Sequence, residues 1–181
     1  MLEHIYLKGC FEEDWFTYPN VYLAMVENCR PDGTLVEVGA WKGRSSSFLV
    51  VEAKNKSKDI SVHIVDTWLG SPEHTEEMKD GLYEKFIANM SPLSGHYIAH
   101  RKNSLEACEQ FSDGTLDGVF IDADHSYESV LADIKAWLPK VRSGGILAGH
   151  DYFSTYLGVV QAVNISFDSF QVIEGCWIHK C

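Results

Sequence analysis

Apolar residues in this chain occur as short continuous runs, separated by longer stretches in which they recur every three or four positions. A short apolar run between turn formers predicts a buried strand, and the three-to-four spacing predicts a helix with one inward face. Strands are expected at 34–39 (TLVEVG), 61–66 (SVHIVD), 96–101 (HYIAHR), 116–122 (LDGVFID) and 144–151 (GGILAGHD). Between them the spacing predicts a helix over 14–29 that turns Val21, Ala24, Met25 and Val26 inward, and another over 44–54 with Phe48, Leu49 and Val51. A third is expected to start with Ser71 as cap and Pro72 at the first helical position, carrying Met78, Leu82, Phe86 and Met90 as one core stripe. A short helix over 104–110 and one over 127–138, closed by Pro139, complete the alternation. SFQVIEG and CWIHKC, 169–181, read as two last strands joined in an antiparallel hairpin about Gly175.

Strands alternating with helices imply a doubly wound, mostly parallel α/β sheet, seven-stranded here, in a single domain over 1–181. Residues 1–30 form an N-terminal helical segment, and 31–181 the core. In such a sheet the ligand sits beyond the carboxyl ends of the strands, where the strand order reverses. Glu37 and Gly39, Asp66, Asp122, and the pair His150 and Asp151 all end different strands, so the fold would gather them on one rim.

The turn VGAWKGRSSS, with Gly39, Ala40, Trp41, Gly43 and Ser45, joins a strand to a helix and suits close approach of backbone N–H groups to a ligand. Trp41 stands where a nicotinamide-dinucleotide fingerprint needs glycine, and Lys42 precedes Gly43 rather than following it as in a P-loop. A ligand carrying adenosine but no pyrophosphate fits better. Asp66 lies 27 positions after Gly39 (66 minus 39), at the end of the next strand, where an acid can accept from ribose hydroxyls. Thr67 adjoins it, and Trp68 would either cover adenine or pack in the core.

Charge and cysteine content narrow the function classes. The formal net charge is −11, with 15 basic against 26 acidic residues and no basic stripe, which argues against nucleic acid or anionic lipid as partner. No apolar stretch is long enough to span a bilayer, and the first residues lack a signal-peptide pattern, so a soluble, cytoplasmic protein is expected. Five cysteines without C-x-x-C pairs read as free thiols, and Cys176, His179 and Cys181 make at most half a metal site. The acidic runs at 12–15 and 74–80 read as solvated helix faces, the second also as a lid over the cofactor.

The segments VEVGAWKGRSSS, VHIVDTWLGSPEH and GVFIDADHSYESVLADIKAWLPKVRSGGILAGHDY resemble, in order, the motifs of class I S-adenosylmethionine-dependent methyltransferases. They are most similar to the small-molecule O-methyltransferase branch: catechol O-methyltransferase-like, macrocin-type and cephalosporin-hydroxylase-like members. The resemblance covers about residues 30–155 and implies the Rossmann-like methyltransferase fold with S-adenosylmethionine as cofactor. It implies that Glu37, Gly39, Ala40, Trp41, Gly43 and Ser45 shape the methionine pocket, that Asp66, Thr67 and Trp68 hold the ribose and adenine side, and that Ser104 touches adenine. Asp122 and Asp151, with His150, match the position of a divalent-cation site, Mg2+ or another ion. His150 and Tyr152 depart from the acid and the amide that relatives use.

Transfer of methyl to oxygen requires the acceptor hydroxyl to lose its proton, which a cation and a nearby base achieve together. His125, three residues after Asp122, stands where catechol-type relatives place a lysine base, with His150 as a second candidate and Asp124 in support. The expected partner is a small-molecule acceptor, and a second copy of the chain could cover the rim. Three rivals remain: a non-catalytic or partner-dependent cofactor-binding protein, an NAD-dependent oxidoreductase, and a methyltransferase acting on nucleic-acid amines, which would usually show an Asn/Asp-Pro-Pro-aromatic stretch where DADHSY stands after the fourth strand.

Overall fold

The computed structural model describes residues 1–13, 15–71 and 74–181. Five strands, β1 (Thr34–Val38), β2 (Ser61–Asp66), β3 (Ile98–Arg101), β4 (Leu116–Ile121) and β5 (Val141–Gly149), run parallel, and β6 (Gln171–Ile173) and β7 (Cys176–Lys180) close one edge antiparallel. The order is β3-β2-β1-β4-β5-β7-β6, so the sheet reverses direction of winding between β1 and β4. This is the expected doubly wound architecture, with its C-terminal hairpin turning at Glu174 and Gly175.

Each face of the sheet buries one core. Helices α1 (Pro19–Asn28), α2 (Arg44–Lys56) and α4 (Leu82–Met90) cover one face with Tyr22, Met25, Leu49, Phe86 and Met90. On the other lie α5 (Ser104–Cys108), α6 (Tyr127–Trp137) and α7 (Leu157–Ser166), which bury Ala107, Ile134, Trp137 and Val163. Strands covered on both faces read as near-continuous apolar runs, and β4 is buried at all six of its positions, Asp117 being its one charged residue.

Several boundaries differ from the sequence reading. The first helix begins at Pro19, whose fixed φ and missing N–H suit the first helical turn, and residues 15–18 just before it are not helical. Pro72 lies outside the described residues; the helix beyond it, α3 (Glu76–Lys79), is capped by Thr75, not Ser71, and stops before Gly81, which takes a φ of 60°. The stripe therefore divides: Leu82, Phe86 and Met90 are core, whereas Met78 faces the cavity described below. Helix α7 was not expected. Its Val159, Ala162 and Val163 have helical spacing, but exposed Leu157 and Ile165 blur the pattern. Gly158 is small because a Cβ there would lie 2.4 Å from the His125 carbonyl oxygen, at the start of α6.

No disulfide joins the five cysteines. His179 Nδ1 meets the Ser169 carbonyl at 3.1 Å, and the C-terminal Cys–His pair gathers no third ligand among the described residues.

Neighbouring strands β2 and β3 set His63 Nδ1 2.8 Å from His100 Nε2, with the rings stacked at 17°. Burial, and then the charge on His100, hold the His63 pKa down at about 4. A histidine whose folded pKa lies below its unfolded value costs stability as pH falls from about 6.5 toward 4, because the unfolded chain takes the proton first. Glu37, pushed up to about 7 by burial, acts in the opposite direction over an overlapping range. The difference between the urea-unfolding curves of the wild type and His63→Gln therefore isolates the effect: the variant is expected to lose less stability between pH 7 and pH 4, as read from the denaturation midpoints. Equal losses would show that His63 takes its proton unhindered in the fold.

Candidate active site

Hydrogen bonds carry the sheet one residue beyond the strand ends, and these bonds position the site. Gly39 N donates to Val65 O at 2.8 Å, Asp122 N to Val38 O at 2.7 Å, and His150 N to Ile121 O at 3.1 Å. The ends of β1, β2, β4 and β5 thus lie side by side at the point where the strand order reverses. A cavity of about 830 Å³ opens there.

Of the residues expected to hold the cofactor, Gly39, Ala40, Trp41, Ser45, Asp66, Thr67, Ser104 and Asp122 line this cavity. Glu37, Gly43 and Trp68 do not. Glu37 is fully buried behind the turn, accepting from the Tyr22 and Ser45 hydroxyls at 2.6 Å each and from Ser46. Burial pushes its pKa up to about 7 against those three donors. Its effect on the cavity passes through Ser45. Gly43 starts α2 with a φ of 91°, and a Cβ there would meet Met90 at 2.9 Å. Trp68 is a core residue rather than an adenine cover, packed on Tyr83 and Phe86, with its indole N–H donating to Trp41 O at 2.9 Å.

Asp66 engages the glycine turn directly. Its Oδ2 accepts from Ala40 N at 2.8 Å and Trp41 N at 2.9 Å, and its Oδ1 from Trp68 N at 2.6 Å. Burial still raises its pKa, outweighing these backbone donors. The carboxylate therefore organises the turn, which the spacing argument did not reveal. Ser104 hydrogen-bonds the Trp137 indole at 2.8 Å, and Asn103, not Ser104, caps α5.

At the ends of β4 and β5, ligand atoms of Asp122, His125 and Asp151 lie within 4.8 Å of one another. His125 Nε2 is 2.9 Å from Asp151 Oδ2. His150, the expected third ligand, stands outside this group, its Nδ1 being 3.3 Å from Asp151 Oδ1 and 3.9 Å from Asp122 Oδ1. Asp151 itself adopts a φ of 60°, in the left-handed region. His150 Nε2 is buried and has no hydrogen-bond partner among the described residues. Burial works to lower the His150 pKa, but the adjoining carboxylates of Asp151 and Asp122 win and raise it. Burial raises Asp122, whereas hydrogen bonds from His125 and His150 bring Asp151 below the usual carboxylate range in spite of its own burial. Asp124 accepts from Ser126 N at 2.7 Å, and Ser126 is the cap of α6.

The N-terminal segment, whose acidic run at 12–15 reads from the sequence as a solvated helix face, forms one wall. Phe11, Glu13, Trp15, Phe16, Thr17 and Tyr18 all line the cavity. Glu13 is not on a solvated helix face: it pairs with nearly buried Lys42 at 2.7 Å and accepts from the Trp41 indole at 3.3 Å. Asp14, in the same acidic run, lies outside the described residues. Gly70, Ser71, His74 and Met78 also line the cavity, and the His74 ring packs against both Trp15 and Trp41. Tyr18 donates to Asp122 Oδ2 at 2.6 Å. Apart from the aromatic richness of 11–18, nothing in the sequence identifies this wall.

A family model described as a methyltransferase domain matches residues 36–152, the span from β1 to the residue after Asp151. The chain belongs to this methyltransferase family. A curated relative, the uncharacterized protein y4gI of Sinorhizobium fredii, is 26% identical over 137 residues, which are 76% of this chain and 15% of that protein. The chain thus spans about one-seventh of that relative's length. Among solved structures, the O-methyltransferase NovP superposes with a TM-score of 0.67 at 17% identity, over 91% of this chain and 79% of its own. Precorrin-6y C5,15-methyltransferase of Geobacter metallireducens superposes at 0.59 and 16%, over 86% and 73%. These likenesses establish the class I methyltransferase fold read from the sequence motifs. The names of the two neighbours differ in the methylated atom, so the fold does not specify the acceptor.

No helix among the described residues is long and apolar enough to cross a membrane.

Proposed function

We propose that the cavity binds S-adenosylmethionine and that the chain transfers the sulfonium methyl group to a hydroxyl of a small-molecule acceptor. The observation that carries this reading is the convergence of four strand ends, with the glycine turn, Asp66, Asp122 and Asp151, on one cavity at the switch point of the sheet. Transfer to oxygen is further supported by the likeness to NovP, itself an O-methyltransferase.

When bound, S-adenosylmethionine supplies an electrophilic methyl group. The residues present fit it: Gly39, Ala40, Trp41 and Ser45 line the cavity where the glycine turn enters α2, and Asp66, Thr67 and Ser104, assigned to the nucleoside, line it as well. Asp66 would do two things, holding the turn closed and accepting from the ribose at the cavity wall it lines.

Two carboxylates and an imidazole with mutually close ligand atoms are a donor set suited to a divalent cation, Mg2+ or a first-row metal. Such a cation, when bound, lowers the pKa of a coordinated hydroxyl. Asp122, Asp151 and His125 would hold it. The proton then falls to His150, whose Nδ1 faces the carboxylates and whose buried Nε2 has no other partner among the described residues. This exchanges the roles that position along the chain suggests for the two histidines. Closure by Trp15, Trp41 and His74 would exclude water from the reacting groups.

Calorimetric titration of the metal-stripped protein with S-adenosylmethionine, with NAD as control ligand, tests the reading. Binding is expected for the first and not the second, and Asp66→Ala should weaken it by about 10- to 100-fold, as for a lost hydrogen bond to a charged group. Unchanged affinity in the variant would remove Asp66 from the site, and a preference for NAD would end the methyltransferase reading.

A further inference from the structure

Tyr18 lies immediately before α1 and is 2% exposed. Its ring is fixed on four sides: edge-on to Phe16 at 5.0 Å, stacked on Phe120 at 5.0 Å, against Tyr22 at 5.6 Å and against His150 at 4.4 Å. Packing, rather than the hydroxyl, therefore decides where the phenol sits. From that position it donates to Asp122 Oδ2 at 2.6 Å, across 104 residues of sequence. One helical turn later Tyr22 repeats the arrangement, its phenol donating at 2.6 Å to Glu37. Two tyrosines one helical turn apart thus each hold a different carboxylate, half-buried Asp122 just beyond β4 and fully buried Glu37 in β1.

We propose that Tyr18 is a positioning residue for the cation site: its phenol ties down Oδ2 of Asp122, so that Oδ1 is presented on the side of Asp151 and the two histidines. A carboxylate at the end of a strand has two rotatable bonds, and a ligand atom that wanders binds metal weakly. Partners that orient a metal ligand from behind ordinarily account for about 10- to 100-fold in affinity or activity. Tyr18 also presses on His150 and so orients both groups on which the proposed proton removal depends. The N-terminal segment, outside the matched family span of 36–152, then supplies part of the chemistry rather than a cover alone. The inference rests on the cation reading given above.

The test compares full-length wild type with Tyr18→Phe and Tyr22→Phe, each keeping its ring and losing one phenol that donates to a carboxylate. Metal-stripped protein is titrated with Mn2+, free ion being followed by electron paramagnetic resonance, and separately with S-adenosylmethionine by calorimetry. Wild type is expected to bind both. Tyr18→Phe should bind Mn2+ about 10- to 100-fold more weakly, with its S-adenosylmethionine affinity within about threefold of wild type. Tyr22→Phe should keep its Mn2+ affinity within about threefold, because its carboxylate is not in the ligand group. Equal Mn2+ affinity in Tyr18→Phe and wild type overturns the inference, as does an equal loss in both variants, which would indicate general loosening. Loss of the near-UV circular dichroism signal in Tyr18→Phe also overturns it, since the phenol would then serve the fold. Wild type that binds S-adenosylmethionine but no Mn2+ removes the cation role and leaves methyl transfer standing; wild type that binds neither removes the reading beneath it.

Discussion

Gly39→Ala is expected to abolish cofactor binding and to destabilise the fold, and no other single methyl group in the chain should do more damage. Gly39 has a φ of 90°, and a Cβ there would lie 1.8 Å from the Asp122 carbonyl oxygen and 2.4 Å from its carbonyl carbon. Those are backbone atoms at the end of β4, which no rotamer change can move aside. The Asp122 amide is itself held by Val38 O at 2.7 Å, one residue before the glycine. Relief therefore requires β1 and β4 to part where Asp122 and the glycine turn enter the cavity. Left-handed backbone costs a residue with a Cβ about 1–2 kcal/mol, and overpacking adds about 1–3 kcal/mol. A total of about 3 kcal/mol would lower the melting temperature of a domain this size by roughly 6–12 °C. Gly81→Ala is the control: its φ is 60°, but no atom lies within 4 Å of the added carbon, so it isolates the backbone term. Thermal melts of both variants, with titration of S-adenosylmethionine into whatever remains folded, decide the point. If Gly39→Ala melted and bound like Gly81→Ala, the close approach of the two strand ends would not be what shapes the pocket.

The second large effect lies at the opposite end of the sheet. Asp117→Ala is expected to cost about 3 kcal/mol, from the lower end of the range for breaking a buried ion pair. Asp117 is 1% exposed in β4 and accepts from the Arg30 guanidinium at 2.9 and 3.0 Å, Arg142 Nε at 2.7 Å, and the backbone amides of Arg30 at 3.2 Å and Thr34 at 3.0 Å. Removing the carboxylate leaves those donors without a partner, though Arg30 can turn to solvent, which is why the lower end applies. Its own burial would raise the Asp117 pKa, but the arginines and amides win and hold it at about 2. A depressed carboxylate stabilises the fold above its unfolded pKa, and that contribution of about 2 kcal/mol is lost as pH falls from about 4 through 2. Urea unfolding of Asp117→Ala at pH 7 and pH 3 should show a large deficit at the first and a smaller one at the second. A deficit that does not shrink with acid would mean that the aspartate acts by packing instead of charge. Cofactor affinity in the folded fraction should be retained, since Asp117 is absent from the cavity wall.

These two glycine and aspartate positions illustrate what a sequence conceals. Gly39 was legible as a ligand-facing turn residue, because a strand, a glycine and a helix in that order have few uses. Its collision partner, 83 positions away (122 minus 39), was not legible, since nothing local ties β1 to β4. Asp66 was legible as the acid ending the second strand, but its bonds to Ala40 and Trp41 depend on β1 and β2 lying in register. Asp122, His125, His150 and Asp151 all announced themselves by their places after apolar runs. That Asp122, His125 and Asp151 form one group, with His150 set against the two carboxylates, depends on how the ends of β4 and β5 pack together, which no spacing rule supplies. Tyr18 and Glu13 gave almost no signal, because irregular segments that line a site have no periodicity.

The sequence by itself determined the alternation of strands and helices, hence a doubly wound sheet, and with it the set of strand ends at which a ligand site must form. Hydrophobic periodicity is a local property, and the right-handed crossover rule converts it into topology with few alternatives. The sequence also carried the motif order by which the methyltransferase family is shown. Only the tertiary structure decided which side chains share the cavity, that Glu37 and Trp68 stand behind it, and that the N-terminal segment closes it through Tyr18 and Glu13. Those contacts join residues far apart in the chain, and side-chain hydrogen bonds of 2.6–2.9 Å are set by how whole elements pack rather than by any neighbour in sequence.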